Sequence, residues 1–181
     1  MYSDGDVSTS KTVAIGVYLG IPLAFLVALS QTALVNDAWL LGVRPNLLLV
    51  FTVAWVLLRD VKQGIILGMI GGLVLEVNSG ATFGSILLAL SAALGVAALG
   101  EINAFQGAWF LKYLVIAGAT LVYGLISVVL LGFMGHWLPL GVALVHIILP
   151  EILLHLLLMM PVYGLLLWLG HRLEPRAVEL D

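Results

Sequence analysis

Three polar residues of the last apolar segment, His146, Glu151 and His155, are the first candidates for chemistry in this sequence. Glu151 and His155 are four residues apart and share one face of a helix, where a carboxylate and an imidazole could bind a metal or relay a proton. The His-Glu-x-x-His spacing of a zinc-protease helix is absent, and His146 falls opposite His155 on an unkinked helix. We therefore predict no catalytic or metal-binding residue. We interpret the three as intramembrane polar contacts within the bundle or with a partner helix, with a ligand pocket as the alternative.

A second set of polar residues lies where two apolar segments meet the loops. If the start of the second segment and the end of the third lie side by side, these residues form one outer polar cluster. Its members are Arg44, Asn46, Glu76, Asn78 and Ser79. Within this cluster, Arg44 and Glu76 could form an ion pair. The alternative is an ordinary helix start with an anchoring arginine, because the intervening Pro45 suits a first helical turn.

Lipid is the expected solvent of the elements that carry these residues. Of the 181 residues, 62% are hydrophobic and 9% are charged, against roughly 25% charged residues in an average soluble domain. The apolar residues run in long stretches, which predict one all-α transmembrane domain built as a six-helix bundle. The predicted spans are residues 12–35, 46–58, 64–77, 84–99, 109–133 and 141–169. The first span is longer than the roughly 7–15-residue apolar core of a signal peptide and is expected to stay uncleaved. Pro150 predicts a kink in the sixth span.

The basic residues predict the orientation of these spans. With the amino terminus inside the cell, only Arg44 lies on the outer side, and all other basic residues lie on the cytoplasmic side. Those residues are Lys11, Arg59, Lys62, Lys112, Arg172 and Arg176. Because basic residues concentrate in cytoplasmic loops, both termini are predicted to be cytoplasmic.

Small residues recur every four positions along two spans and predict close helix packing. In span one the stripe consists of Gly16, Gly20, Ala24 and Ala28; in span three it consists of Gly64, Gly68 and Gly72, with Gly71 beside them. The stripe of span one either packs inside this chain or docks to another membrane protein, and it is our candidate docking face. The stripe of span three is expected to be internal.

No motif in the sequence predicts an enzyme. The sequence has no cysteine, no Gly-x-Ser-x-Gly elbow and no phosphate-binding glycine loop. The basic residues are dispersed, so nucleic acid is not an expected partner. We expect a structural or binding protein that works in the lipid bilayer and needs no cofactor or metal.

The segment from Arg44 to Gly84 resembles MreD, the multi-pass rod-shape-determining membrane protein family of bacteria. The resemblance lies in the Arg-Pro-Asn-Leu start of the second span and in the Gly-rich stretch that ends Glu-Val-Asn-Ser-Gly in the third. Asn46 and Glu76 stand where family members usually have aspartate. The resemblance therefore implies no role that needs a charge at position 46, whereas the carboxylate is retained at Glu76.

The resemblance implies a non-enzymatic scaffold of the cell-elongation machinery in the bacterial cytoplasmic membrane. It implies direct association with MreC and, in a larger complex, with RodA, a class B penicillin-binding protein and MreB, in support of peptidoglycan synthesis and rod cell shape. The family is similar in fold to the substrate-binding components of energy-coupling-factor vitamin transporters, which supply the alternative function. A vitamin binder should present polar and aromatic side chains around an outward-facing pocket.

Overall fold

Six helices make up the part of the chain that the structure describes. The structure is a computed structural model and describes residues 20–33, 42–80, 82, 84–102 and 110–173. The helices are α1 (Gly20–Ala33), α2 (Leu47–Leu58), α3 (Val61–Ser79), α4 (Ser85–Ile102), α5 (Leu111–Phe133) and α6 (residues 140–173). The all-helical class predicted from the apolar stretches is confirmed for these residues.

Three of the helices are long and apolar enough to cross a membrane. They are Val61–Ser79, Leu111–Phe133 and the segment Leu140–Gly170 of α6. The other three are apolar but shorter. The 12 residues of α2 extend about 18 Å, whereas the hydrocarbon core of a bilayer is about 30 Å thick. The chain thus has the helices of a membrane protein, with one helix much shorter than its neighbours.

The bounds of α3 differ from the predicted span because polar residues extend it. The span is predicted to begin at Gly64, but α3 begins at Val61, because the Asp60 side chain accepts a hydrogen bond from the Lys62 amide and caps the first turn. At the other end, Gly80 adopts a φ of 66°, the left-handed conformation that ends many helices. Charges expected in a loop therefore begin the helix.

The short helix α2 lies at the centre of the bundle. It packs against α3, α4, α5 and α6, and every residue from Leu48 to Val56 is buried. A helix that is apolar on all sides suits this position, because other helices cover each of its faces. The fold is therefore organised around the element that the sequence alone would call too short.

The contacts between α2 and α3 show that the two helices run antiparallel. Gly64, near the start of α3, packs against Val56, whereas Gly71 packs against Leu48 at the start of α2. The bundle therefore has two ends. The Arg59 end contains the turn between α2 and α3, and the Ser79 end contains the connection between α3 and α4.

The glycine stripe of α3 lets its backbone approach two neighbouring helices. A Cβ atom added to Gly71 would lie 2.6 Å from Leu48 Cδ1 of α2. One added to Gly72 would lie 3.1 Å from Leu90 Cδ2 of α4. Close backbone approach is a main source of attraction between helices in lipid, so the stripe holds α3 between α2 and α4.

The small-residue stripe of α1 also faces the interior of the chain. Ala24 and Ala28 are fully buried, and a Cβ atom on Gly20 would lie 2.6 Å from Leu67 Cδ1 of α3. Trp55 of α2 also lies next to Gly20, and Gly71 of α3 lies next to the Ala24 carbonyl oxygen. The burial of these residues favours internal packing, the other reading that the sequence left open, and docking by the stripe stays a prediction. Gly16 lies outside the described residues.

Helix α6 changes its winding just before Pro150. It consists of an α-helical turn (Leu140–Ala143), a π-helical turn (Leu144–Ile148) and a long α-helix (Leu149–Leu173). Proline has no N–H, and in a regular α-helix its ring collides with the carbonyl four residues earlier. The wider π-turn occupies this stretch, so the irregularity in the helix precedes Pro150.

Candidate functional site

The candidate site is built around the start of α2, inside the Ser79 end of the bundle. Leu48 packs on Gly71, which precedes Ser79 by eight residues of helix and so lies about 12 Å from the end of α3. The first turn of α2 is therefore well inside the bundle. The first N–H groups of a helix have no partner within it, so those of α2 must be satisfied by neighbouring side chains.

Two amide side chains satisfy these N–H groups. Asn46 Oδ1 accepts a hydrogen bond from the Leu49 amide at 3.0 Å, the usual bond of a helix N-cap. Gln31 Oε1, from α1, accepts from the Leu48 amide at 3.0 Å. The two side chains are themselves joined, because Gln31 Nε2 donates to Asn46 Oδ1 at 3.3 Å. The end of α1 is thereby fixed to the start of α2.

His155 connects the same point to α5 and α6. Its side chain is fully buried. Its Nε2 atom accepts a hydrogen bond from the Asn46 amide at 2.9 Å, and its Nδ1 atom lies 2.9 Å from Thr120 Oγ1 of α5. One imidazole therefore bonds to elements that are far apart in the sequence.

The partners of His155 determine its tautomer. The Asn46 amide can only donate, so Nε2 must carry a lone pair. The Thr120 hydroxyl lies 2.8 Å from the Ile116 carbonyl oxygen and donates its proton to it. Nδ1 therefore carries the proton and donates it to Thr120 Oγ1. In this arrangement His155 is a neutral structural connector whose two nitrogens are both occupied.

Glu151 lies one helical turn from His155 but is not hydrogen-bonded to it. Glu151 is buried, and its Oε1 atom is 3.9 Å from His155 Nε2. This distance exceeds hydrogen-bond range, and Nε2 has no proton to donate. The predicted pair of residues thus shares a helix face without forming an acid–base couple.

Glu76 fixes the connection between α3 and α4. It is 3% exposed, and its Oε1 atom accepts a hydrogen bond from the Ile86 amide at 3.0 Å. The Ile86 amide belongs to the first turn of α4, so the carboxylate satisfies one of the N–H groups that this helix start leaves unpaired. The second carboxylate oxygen, Oε2, is buried without a hydrogen-bond partner among the described residues.

A polar pocket opens above these contacts at the Ser79 end. Its volume is about 220 Å³. Four helices and the segment before α2 contribute its walls. The lining residues are Gln31, Thr32, Arg44, Pro45, Leu75, Asn78, Ser79, Ile86 and Tyr123. The half-buried Tyr123 lies near the side chain of Asn46, so the pocket floor adjoins the capped start of α2.

The structure brings the predicted outer polar cluster together in two layers. Asn46 and Glu76 are buried below the pocket, where they hold helix starts. Arg44, Asn78 and Ser79 lie on the pocket wall. The ion pair between Arg44 and Glu76 stays a prediction.

His146 lies away from this site, as its predicted position opposite His155 implies, and its predicted role as a polar contact with a partner helix stays a prediction. Its side chain is exposed on α6, and its Nδ1 atom lies 3.3 Å from the Val142 carbonyl oxygen of its own helix. His146 and His155 are nine residues apart and therefore face opposite sides of the helix. His155 faces the bundle, so His146 faces away from it.

Sequence reasoning missed three residues of the site: Gln31, Thr120 and Tyr123. Thr120 and Tyr123 are single polar residues in an apolar helix, and Gln31 stands between Ser30 and Thr32. Such residues are a weak signal, because serine and threonine often bond to their own helix. The signal that could have identified Gln31 is its position in the sequence. Gln31 is near the end of its span, at the level where the outer polar cluster was expected.

The described polar side chains of the site form a hydrogen-bonded network between helices. Among them, no group of three or more His, Cys, Asp or Glu side chains could hold a metal. The imidazole and Thr120 hydroxyl are committed to structural bonds. No protein-family model, curated protein or solved structure matches this chain, so its function has to be argued from the site and the sequence.

Proposed function

We propose that this chain is a non-enzymatic scaffold in the bacterial cytoplasmic membrane and acts in cell elongation as MreD does. It would associate directly with MreC and, in a larger complex, with RodA, a class B penicillin-binding protein and MreB. The observation that carries this proposal is that the segment resembling MreD is also the segment that builds the site. Arg44, Asn46 and Glu76, which give the resemblance, all lie in or directly below one pocket.

The proposed topology has six crossings, with the Arg59 end in the cytoplasm. Four basic residues, Arg59, Lys62, Lys112 and Arg172, belong to helix termini at that end, and Arg44 is at the other. Such a distribution is expected of a protein whose basic end stays inside the cell. In this topology α2 crosses only the cytoplasmic part of the bilayer, and residues 42–46 complete the crossing within the bundle.

The aromatic contacts of the basic side chains also suit a membrane surface at the Arg59 end. Lys112 Nζ lies 4.5 Å from the ring centre of Tyr163, and the Arg172 guanidinium lies 5.4 Å from that of Trp168. Tryptophan, tyrosine and basic residues anchor helices at the level of lipid headgroups. These contacts support a fixed depth for the bundle in the membrane.

A scaffold role agrees with how the described polar groups are used. The buried side chains of Asn46, Glu76 and His155 each bond to the backbone of another element or cap a helix. Such bonds fix helix positions and leave no activated nucleophile. A rigid bundle of this kind can present a constant surface to partner helices, which is the work that the proposal assigns to it.

The pocket favours a second candidate, a substrate-binding component of an energy-coupling-factor transporter. Polar side chains and Tyr123 converge on it at the proposed outer face, as expected for a vitamin binder. Its volume of about 220 Å³, however, falls below the roughly 300–1,000 Å³ of sites for drug-sized ligands. This difference places the transporter component second.

Affinity purification of the tagged full chain from the cells that encode it tests both candidates. Partners are extracted in mild detergent and identified by mass spectrometry. We expect an MreC-type protein with one membrane helix, together with RodA and a penicillin-binding protein. Recovery of the energising module of a transporter, with none of these proteins, would reject the scaffold in favour of the second candidate.

A further inference from the structure

The long helix α6 has two faces of different character. Its bundle face packs against α2 and α5 and carries Glu151, His155 and Met159, which are buried. The opposite face, the free face of α6, is exposed. It consists of Leu153, Leu157, the neighbours Met160 and Pro161, Gly164 and Trp168, which lie on one side of the helix because they recur every three or four positions.

We infer that the free face of α6 binds the single membrane helix of another protein. This helix carries a hydroxyl or amide side chain that donates a hydrogen bond to the Leu157 carbonyl oxygen. In the proposed complex, it is the membrane helix of the MreC-type protein. The contact rests on the proposed function, to which it adds a surface and the chemistry that recognises the partner.

The Leu157 carbonyl oxygen lacks the hydrogen bond that a regular helix would give it. That bond would come from the N–H of residue 161, and Pro161, which lies inside the helix, has no N–H. Among the described residues, no side chain and no other element donates to this oxygen. Leu157 is 69% exposed, so the rest of the bundle leaves this turn of α6 uncovered.

The depth of this carbonyl places it away from water and lipid headgroups. Leu157 is two residues from the middle of the segment Leu140–Gly170, which is about 3 Å along the helix axis. It also precedes Tyr163, which contacts Lys112 at the proposed cytoplasmic surface, by six residues or about 9 Å. Lipid tails carry no hydrogen-bond donor, and an unsatisfied backbone group is costly among them. The donor therefore has to come from a neighbouring helix.

Gly164 lets a neighbouring helix approach this part of the free face. No atom lies within 4 Å of a Cβ atom added to it. Met160 and Trp168, four residues away on either side, are large and exposed. Gly164 is therefore the floor of a notch between two large side chains. Helices associate in lipid where small residues let their backbones come close, so the notch can accept a side chain of a second helix.

The missing donor identifies the occupant as the helix of a different protein. A second copy of this chain that docked by its own free face would bring no hydroxyl or amide side chain, because that face has none. The indole N–H of Trp168 is 11 residues from Leu157, or about 16 Å along the helix. Serine, threonine, asparagine and glutamine form hydrogen bonds between membrane helices. We expect one of these residues near the middle of the partner helix.

Photo-cross-linking in cells tests the position of the contact. Leu157 is replaced by p-benzoylphenylalanine in the tagged full chain. The matched control carries the same replacement at Leu73, which is also exposed but belongs to α3. We expect a cross-link from position 157, and not from position 73, to the membrane helix of the MreC-type protein.

The failure of this contact is distinguishable from the failure of the proposed function. If the MreC-type protein copurifies but position 157 cross-links to a second copy of the chain, or to nothing, the contact is refuted and the function stands. Equal cross-linking from positions 157 and 73 would also refute the contact. If no MreC-type protein copurifies, the proposed function is rejected, and the contact with it.

Replacement of Gly164 tests the notch. Gly164→Leu should reduce recovery of the MreC-type protein about tenfold, because the leucine side chain fills the space that the partner needs. Gly95→Leu is the matched control, because Gly95 of α4 is equally exposed with no atom within 4 Å of an added Cβ. It should leave recovery unchanged, and neither variant should lower the midpoint of thermal unfolding of the isolated chain. Equal recovery with the two variants would reject the notch.

Replacement of Pro161 by alanine tests the hydrogen bond itself. The new N–H donates to the Leu157 carbonyl within the helix. Pro161→Ala should therefore raise the midpoint of thermal unfolding of the isolated chain and reduce recovery of the partner about threefold. Replacement of the partner's donor residue by alanine should cost about the same threefold with the unmodified chain and nothing with Pro161→Ala. Unchanged recovery with Pro161→Ala, or equal losses in both backgrounds, would overturn the proposed bond.

Discussion

Replacement of His155 by leucine is the most direct test of the network at the start of α2. The imidazole accepts a hydrogen bond from the Asn46 amide and donates one to Thr120. Leucine has similar volume but can do neither. Thr120 still donates to its own helix, so the group that loses its acceptor is the buried amide of Asn46.

The expected loss of stability follows from these two bonds. A buried N–H left without an acceptor costs about 1–3 kcal/mol. A side-chain hydrogen bond between membrane helices contributes about 0.6 kcal/mol on average. The greater apolar character of leucine offsets about 1 kcal/mol. We therefore expect His155→Leu to lower the free energy of unfolding by about 2 kcal/mol. His155→Gln, which offers both an acceptor and a donor, should lose less than half of that.

The assay is reversible unfolding of the purified chain in mixed micelles, followed by tryptophan fluorescence and circular dichroism. His146→Leu is the matched control, because it makes the same substitution on the exposed face of the same helix. It should leave stability unchanged or raise it. If His155→Leu were as stable as His146→Leu, or if glutamine were as harmful as leucine, the hydrogen-bond assignments of His155 would be refuted.

Three further predictions test packing, the role of the buried carboxylate and topology. Gly71→Val should lower the free energy of unfolding by about 1–3 kcal/mol, because the added carbon atoms collide with α2. Gly95→Ala is the control in the same unfolding assay and should cost nothing, because no atom lies within 4 Å of the added Cβ. Glu151→Leu should leave the free energy of unfolding unchanged or raise it, because no described donor loses its acceptor. A loss above about 1 kcal/mol would mean that Glu151 accepts a hydrogen bond, and would contradict this prediction. In intact cells, an impermeant thiol reagent should label a cysteine at His136 but not one at Lys112; the reverse pattern would reject the orientation.

The sequence was sufficient to predict the helices because each is encoded locally. Long apolar runs define them, and single residues such as Asp60 and Gly80 set the ends. The outer polar cluster could also be predicted in part. Polar residues at the adjacent ends of consecutive antiparallel helices must lie at the same end of a bundle, which brought Asn46 and Glu76 to the same region.

The remaining contacts depend on rotation of each helix about its axis, which an apolar sequence does not specify. In water the polar face of a helix identifies its exposed side, but in lipid both sides are apolar. For this reason the stripe containing Ala24 and Ala28 could face inward or outward. For the same reason, either His146 or His155 could have faced the bundle. The bond between His155 and the Asn46 amide joins residues 109 positions apart, and no local pattern encodes such a pairing.

The central position of α2 has a consequence for biogenesis. The chain emerges from the ribosome with α2 before the helices that later surround it, and the acceptor for the Asn46 amide arrives only with α6. Until then the start of this helix carries an unsatisfied polar group in an incomplete bundle. A nascent chain that stops before α6 therefore exposes both an unpaired amide and an uncovered apolar helix. Membrane chaperones and quality-control proteases can use these two features to distinguish the unfinished chain from the finished one.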